Sequence, residues 1–371
     1  MKFSIERDLF LEPLQAVQGV VERRQSLPIL QNILLSVGDD AVLSVTGSDL
    51  EVEITSSTEV PGATSGEVTV PARKLTDIVR SLAPGVMVEL ALKGDRVQVK
   101  AGRGRFSLST LPAADFPASD AISTEVEVDF SRVELRQVIE LTHFAMAQQD
   151  VRYYLNGLLL EIGDGKVRAV ATDGHRLALC DLVVEKLVDN GSRQIIVPRK
   201  AAGEMLRLLT GDGVARLSVA SNLLRLDIGT VRLTSKLIDG RFPDYNRVIP
   251  EAERCDKRLE VNRDELKEIL KRTAILSNDK YRAIRLMLEK NLVRVVASNP
   301  EQEEAEDCIE VEYEGEEIEI GFNVSYLIEA LGAVPSETVD LFFTDSGSSC
   351  LIRPIPRSAL DCEFVVMPLR L

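Results

Sequence analysis

Three passages of this 371-residue chain repeat one another at intervals of about 126 residues, and that period constrains the fold more than any single motif. Val70-Pro71-Ala72-Arg73-Lys74-Leu75 returns as Val197-Pro198-Arg199-Lys200 and, more faintly, as Phe322-Asn323-Val324-Ser325-Tyr326-Leu327. Val45-Thr46-Gly47-Ser48-Asp49 is answered by Val170-Ala171-Thr172-Asp173-Gly174 and by Val296-Ala297-Ser298-Asn299-Pro300. Leu111-Pro112 through Asp115-Phe116-Pro117 is answered by Leu237-Ile238 through Arg241-Phe242-Pro243. A period of this length is a whole domain, not a solenoid unit. The chain therefore reads as three copies of one domain, over 1–125, 126–254 and 255–371.

In each copy an amphipathic helix is expected to come first, over 7–24, 131–148 and 263–277, with Asn262 as the N-cap of the third. A second helix is expected over 71–82, 198–209 and 323–332, with Pro71 and Pro198 in the first turn. Between them lie alternating runs broken by turns. Residues 86–92, the turn Lys93-Gly94-Asp95 and residues 96–100 read as a hairpin, as do 158–162, Gly163-Asp164-Gly165 and 167–171. The class is α+β, two helices packed on antiparallel sheet in every copy. With 45% hydrophobic residues and no Trp, each core is built from Val, Leu and Ile.

The net charge of −15 repels phosphate at long range. The six expected helices nevertheless carry more basic than acidic residues, and Arg73-Lys74 and Arg199-Lys200 hold equivalent places. An acidic exterior with locally basic helices suits phosphate contacts made without reading bases. No apolar run is long enough to span a membrane, and the charged start Met1–Asp8 lacks the apolar stretch of a signal peptide, which points to the cytoplasm. Five cysteines without a C-x-x-C pair read as reduced thiols.

Catalytic and cofactor signatures are missing, so no enzyme activity, metal or cofactor is expected. Gly102-Arg103-Gly104-Arg105 lacks the lysine–hydroxyl pair of a phosphate loop, and the acidic run from Glu301 to Asp307 lacks the spacing of a calcium loop. Only His143 and His175 are present. An Asp173/His175 dyad on a repeated scaffold is the alternative reading, a hydrolase, but no nucleophile elbow accompanies it.

Several segments in fixed order carry a resemblance: Ser107–Pro117, Gln149–Gly157, Ala171–Leu177, Asp239–Tyr245, Asn299–Ala305 and Val365–Leu371. Together they resemble the beta subunit of bacterial DNA polymerase III, the sliding clamp family, from Met1 to Leu371. The resemblance implies a head-to-tail homodimer, a ring of six clamp-type domains around duplex DNA gripped without regard to sequence. Size agrees: three touching spheres of this domain size leave a gap of about 6 Å, six leave about 36 Å.

By resemblance, Arg24, Arg73, Gln149, Tyr153 and Tyr154 match DNA-touching positions, and the repeat adds Arg199 and Lys200. The ring interface is expected to join acidic Glu301, Glu303 and Glu304 to basic Lys74, Arg103 and Arg105 around apolar Phe106, Ile275 and Leu276; opposite charges at opposite ends specify head-to-tail pairing. The family also has a groove for short peptides from DNA polymerase subunits and the clamp loader. Its matching positions are Leu155, Thr172, Gly174, His175, Arg176, Leu177, Pro243, Arg247, Val248, Tyr326, Ser349, Val366, Met367, Pro368 and Leu369.

Overall fold

The computed structural model describes residues 1–22, 27–117, 123–184, 193–357 and 360–370. Its α-helices are α1 (Arg7–Val17), α2 (Ala72–Ser81), α3 (Arg132–Thr142), α4 (Arg199–Leu208), α5 (Arg263–Ala274) and α6 (Val324–Ala333). Each copy opens on a strand, not a helix: Lys2–Glu6, Val126–Ser131 and Lys257–Asn262 precede α1, α3 and α5. Their alternation buries Phe3 and Ile5, Val128 and Phe130, Leu259 and Val261.

The first helices are shorter than the apolar pattern suggests. The Thr142 hydroxyl donates to Val138 O at 2.8 Å, and that of Thr273 to Ile269 O at 2.9 Å, competing with the backbone ladder at the helix ends. Asn262 does cap α5, its Oδ1 accepting from the amides of Asp264 and Glu265. Both expected hairpins form. In the second, Asp164 and Gly165 have φ of 53° and 71°, the left-handed pair that a two-residue turn matched to strand twist requires.

Two compact units result: Met1–Leu135 with Gly203–Leu237, and Arg136–Ala202 with Ile238–Leu371. In the first, Lys2–Glu6, Met87–Lys93, Arg96–Ala101 and Gly104–Ser109 form a four-stranded sheet in that order. An eight-stranded sheet joins Gly66–Pro71, Asn32–Val37, Val42–Ser48 and Val52–Glu59 of the first copy to Val231–Lys236, Leu223–Ile228, Val214–Val219 and Val126–Ser131 of the second. In the other unit, Arg193–Pro198, Gly157–Gly163, Lys166–Thr172 and Arg176–Val183 continue into Asp361–Val366, Cys350–Ile355, Thr338–Phe343 and Lys257–Asn262. Its four-stranded sheet runs Glu304–Glu310, Leu292–Ser298, Ala283–Glu289, Ile318–Asn323. All pairings are antiparallel, so each unit contains one seam where two copies share a sheet.

Hydrogen bonds fix how the copies correspond. Asp49 Oδ1 accepts from the amides of Glu51 and Val52, and Asp173 Oδ1 from those of His175 and Arg176. Asp49 thus corresponds to Asp173, one residue off the apolar match that set Ser48 against Asp173, because a carboxylate binding two amides determines the turn.

Candidate functional site

Beside the seam between the second and third copies lies a cavity of about 200 Å³. Arg152, Tyr154 and Leu155 come from the turn around the short 3-10 helix Tyr153–Asn156, and Thr172, Gly174, Arg176 and Leu177 from two strand ends and the turn between them. Pro243, Asp244, Tyr245 and Val248 form a third wall, and Val365 and Met367 a fourth. Beneath lies a buried cluster that includes Leu159, Val170, Leu179, Ile196, Phe242 and Leu351.

The turn is held by its own groups. Thr172 Oγ1 donates to Arg176 O at 2.7 Å and accepts from the Gly174 amide at 3.0 Å, while Gly174 has φ of 87°. The Arg176 guanidinium donates to Asp173 Oδ2, Glu329 and Phe144 O, and stands 4.7 Å from the Tyr326 ring centroid. At the opposite wall the Tyr245 hydroxyl donates to Glu161 at 2.6 Å and accepts from Arg168 at 3.3 Å; Asp181 holds Arg168 through bonds of 2.6 and 2.7 Å. Burial pushes the Tyr245 phenol up to about 12, so it remains a donor at neutral pH.

Of the groove residues expected from sequence, Leu155, Thr172, Gly174, Arg176, Leu177, Pro243, Val248 and Met367 line this cavity. Val366 does not: alternation along Asp361–Val366 gives the wall to Val365 and turns Val366 away. The others stand at its rim or beyond. His175 stacks on Tyr326 with centroids 6.1 Å apart, and Ser349 Oγ is 2.9 Å from Met367 Sδ. The Met367 amide donates to His175 O and the Leu369 amide to Gly321 O, with Pro368 between them. Arg247 is exposed and paired with Asp244 at 2.8 Å. Sequence reasoning missed Arg152, Asp244, Tyr245 and Val365 and assigned Tyr154 to the DNA surface alone; the period-2 alternation was the available signal for Val365.

The Asp173/His175 alternative finds no support in this geometry. The Asp173 carboxylate is engaged by two backbone amides and Arg176, and the His175 ring faces Tyr326 instead of that carboxylate. Among the described residues, no group of three or more His, Cys, Asp or Glu is placed to hold a metal ion.

The basic residues divide into two kinds. Arg73 and Lys74 are exposed on α2 and have no ion-pair partner among the described residues. Arg7 instead donates to Val79 O and Arg80 O at the end of α2, and Arg263 to Val334 O at the end of α6. Arg207 reaches Gln15 O and Ala16 O at the end of α1. Arg199, unlike exposed Arg73, is half-buried and donates to Met146 O at 2.8 Å; Lys200 beside it is half-buried. Gln149 is exposed with φ of 54°, Tyr153 is 56% exposed, and Tyr154 meets it edge-on at 5.8 Å. Arg24 lies outside the described residues.

Of the expected interface residues, Arg103, Arg105 and half-buried Phe106 lie on or beside the edge strand Gly104–Ser109 of the first unit, with Lys74 on α2. In the second unit Glu301 and Glu303 precede the edge strand Glu304–Glu310, Ile275 is 77% exposed just past α5, and Leu276 is half-buried.

Copies of one α+β domain, fused in pairs through continuous sheets and carrying an apolar cavity at one seam, define a scaffold that acts by binding. The chain belongs to the DNA polymerase III beta subunit family: models of its N-terminal, central and C-terminal domains match residues 1–120, 129–244 and 246–370. The chain is 49% identical to the beta sliding clamp of Pseudomonas aeruginosa and 48% to that of Escherichia coli K12, over all of each chain. The crystal structure of the P. aeruginosa DNA polymerase III subunit beta bound to griselimycin superposes with a TM-score of 0.95 at 49% identity, covering both chains fully. The griselimycin-bound clamp of Bartonella birtlesii also gives 0.95, at 36% identity and the same coverage.

Proposed function

We propose that two copies of this chain close head to tail into a ring of six domains that encircles duplex DNA and tethers DNA polymerase subunits and the clamp loader by short peptides seated in the cavity. The ring is a cytoplasmic binding protein without catalysis, cofactor or metal. It holds DNA by topology, so phosphate contacts need only be weak and independent of sequence. Arg73, Gln149 and exposed Tyr153 are the contacts this reading favours, with Arg24, Tyr154, Arg199 and Lys200 as further candidates.

One observation carries the reading. Each seam pairs the last strand of one copy's closing sheet with the matching edge of its neighbour, and one strand of each kind, Gly104–Ser109 and Glu304–Glu310, is left at a sheet edge. An unpaired edge is a template for another chain. The hairpin pairs Ser48↔Glu53 and Ser298↔Glu304 equate Glu53 with Glu304, and Leu223↔Lys236 and Arg96↔Ser109 equate Lys236 with Ser109. Since Glu53 faces Thr234 at the first seam, Glu304 would face Ser107 of a second copy. In the same register Glu306 faces Arg105 and Cys308 faces Arg103. Acid meets base, and Ala305 meets Phe106 on the other face.

The register supplies its own test. Arg103→Cys should form an intermolecular disulfide with native Cys308 under a mild thiol oxidant, giving a covalent dimer on a non-reducing gel; a chain that stays monomeric there would contradict head-to-tail closure.

A further inference from the structure

We infer that the Tyr245 hydroxyl is the positioning group of the cavity, holding the Pro243–Val248 wall in its ligand-ready shape through a polar ladder on the adjoining strands; the inference rests on the reading of the cavity as a peptide site.

The ladder runs across four adjacent strands. Gln194 stands opposite Glu161, Glu161 opposite Arg168, and Arg168 opposite Asp181. Gln194 Nε2 donates to Glu161 Oε1 at 2.6 Å, leaving Glu161 Oε2 for the Tyr245 hydroxyl at 2.6 Å. Arg168 bridges Tyr245 and Asp181. Cross-strand partners fix each group, so the acceptor offered to Tyr245 cannot drift.

Tyr245 itself is 6% exposed, with its ring in the cavity wall and its hydroxyl bonded to Glu161 and Arg168 of the ladder. The rest of its segment has little to hold it: Pro243, Asp244, Asn246, Arg247 and Val248 are all exposed, and the Asp244–Arg247 pair is a solvent-facing one. Between buried Phe242 and half-buried Ile249, which pack on the core cluster, the wall is thus a surface stretch fastened only at Tyr245. Without that fastening it samples other shapes, and a ligand that needs the ready shape binds more weakly in proportion to the ready fraction.

The test uses the full-length dimer with griselimycin as the probe and follows binding kinetics on wild type, Tyr245→Phe, Glu161→Leu and the double variant. Tyr245→Phe keeps the ring and removes one hydroxyl. A ready fraction of about one fifth lowers the association rate roughly fivefold with dissociation unchanged. Glu161→Leu should do the same, and the double variant no more than either single one, because both cut one connection. Unchanged rates alongside a lowered unfolding midpoint would make the bond merely structural and overturn the inference. A faster dissociation rate would overturn it too, by making the hydroxyl a ligand contact. Griselimycin failing to bind wild type would instead remove the peptide-site reading on which the inference rests.

Discussion

Lys236 and Met367 hold the same place in successive copies: the Lys236 amide donates to Glu51 O at 2.9 Å, the Met367 amide to His175 O at 2.8 Å. At the first seam Lys236 reaches Glu51 in an ion pair of 3.3 Å, and Leu50 stands where the second seam has Gly174, with φ of 78° against 87°. At the second seam a flexible thioether and a missing side chain leave room for the cavity. One scaffold yields a joint in one place and a binding site in the other, through a few side chains.

Met367→Lys should therefore weaken peptide binding while leaving the dimer intact. His175 offers the new ammonium no carboxylate of the kind Glu51 offers Lys236, and an unpaired cation beside an apolar cavity is costly. Griselimycin affinity is expected to fall about tenfold or more, read by calorimetry.

Gly174→Leu mimics the first seam. Leu50 proves the backbone reachable, at a strain of about 1–2 kcal/mol for a non-glycine residue in the left-handed region. A Cβ at position 174 would meet Arg152 Nη1 at 3.0 Å, so the cavity mouth shifts as well. The variant should fold with slightly lower urea resistance and lose griselimycin binding.

Ile275→Ala combined with Leu276→Ala should give monomers in sedimentation. In the single chain Ile275 is 77% exposed beside half-buried Leu276, an apolar pair that the proposed interface would cover. An unchanged dimer would contradict its interface role.

Thiol labelling provides an independent view of the same edge. Cys180, Cys350 and Cys362 are buried, and burial raises all three thiols, Cys362 to about 12, so they stay protonated and unreactive at pH 8. Iodoacetamide should modify exposed Cys308 fast in the Ile275/Leu276 variant and slowly in the wild-type ring, where the strand is covered; mass spectrometry of the native protein checks this.

Arg73→Ala and Arg199→Ala should separate binding from structure. Arg73 is exposed and has no ion-pair partner among the described residues, so its loss should weaken DNA retention and flatten its salt dependence while sparing stability. Arg199, bonded to Met146 O, should cost about 1 kcal/mol in urea unfolding.

The repeat, its α+β class and both hairpins were legible because period, alternation and turn residues are local signals. The opening strands were equally local, since Phe3 and Ile5 alternate plainly, but so short a run before a strong helical pattern reads as its lead-in. Helix ends were not legible, because they depend on Thr142 and Thr273 bonding back to the turn before. Tyr245 and Arg152 were hidden for another reason: their roles depend on Glu161, Arg168 and Asp173, partners that only the folded sheet and its loops bring near. The basic residues on the helices could be counted from the sequence, but not that Arg7, Arg207 and Arg263 fasten helix ends.

The most direct measurement is retention on DNA of a fixed topology. Clamp loaded by its loader onto nicked circular plasmid, then closed through Cys308 and Arg103→Cys, should co-migrate with the plasmid in gel filtration at salt that screens phosphate contacts. It should leave once a restriction enzyme linearises the DNA. Retention on linear DNA equal to that on circular DNA, or dissociation from both, would contradict a topological clamp.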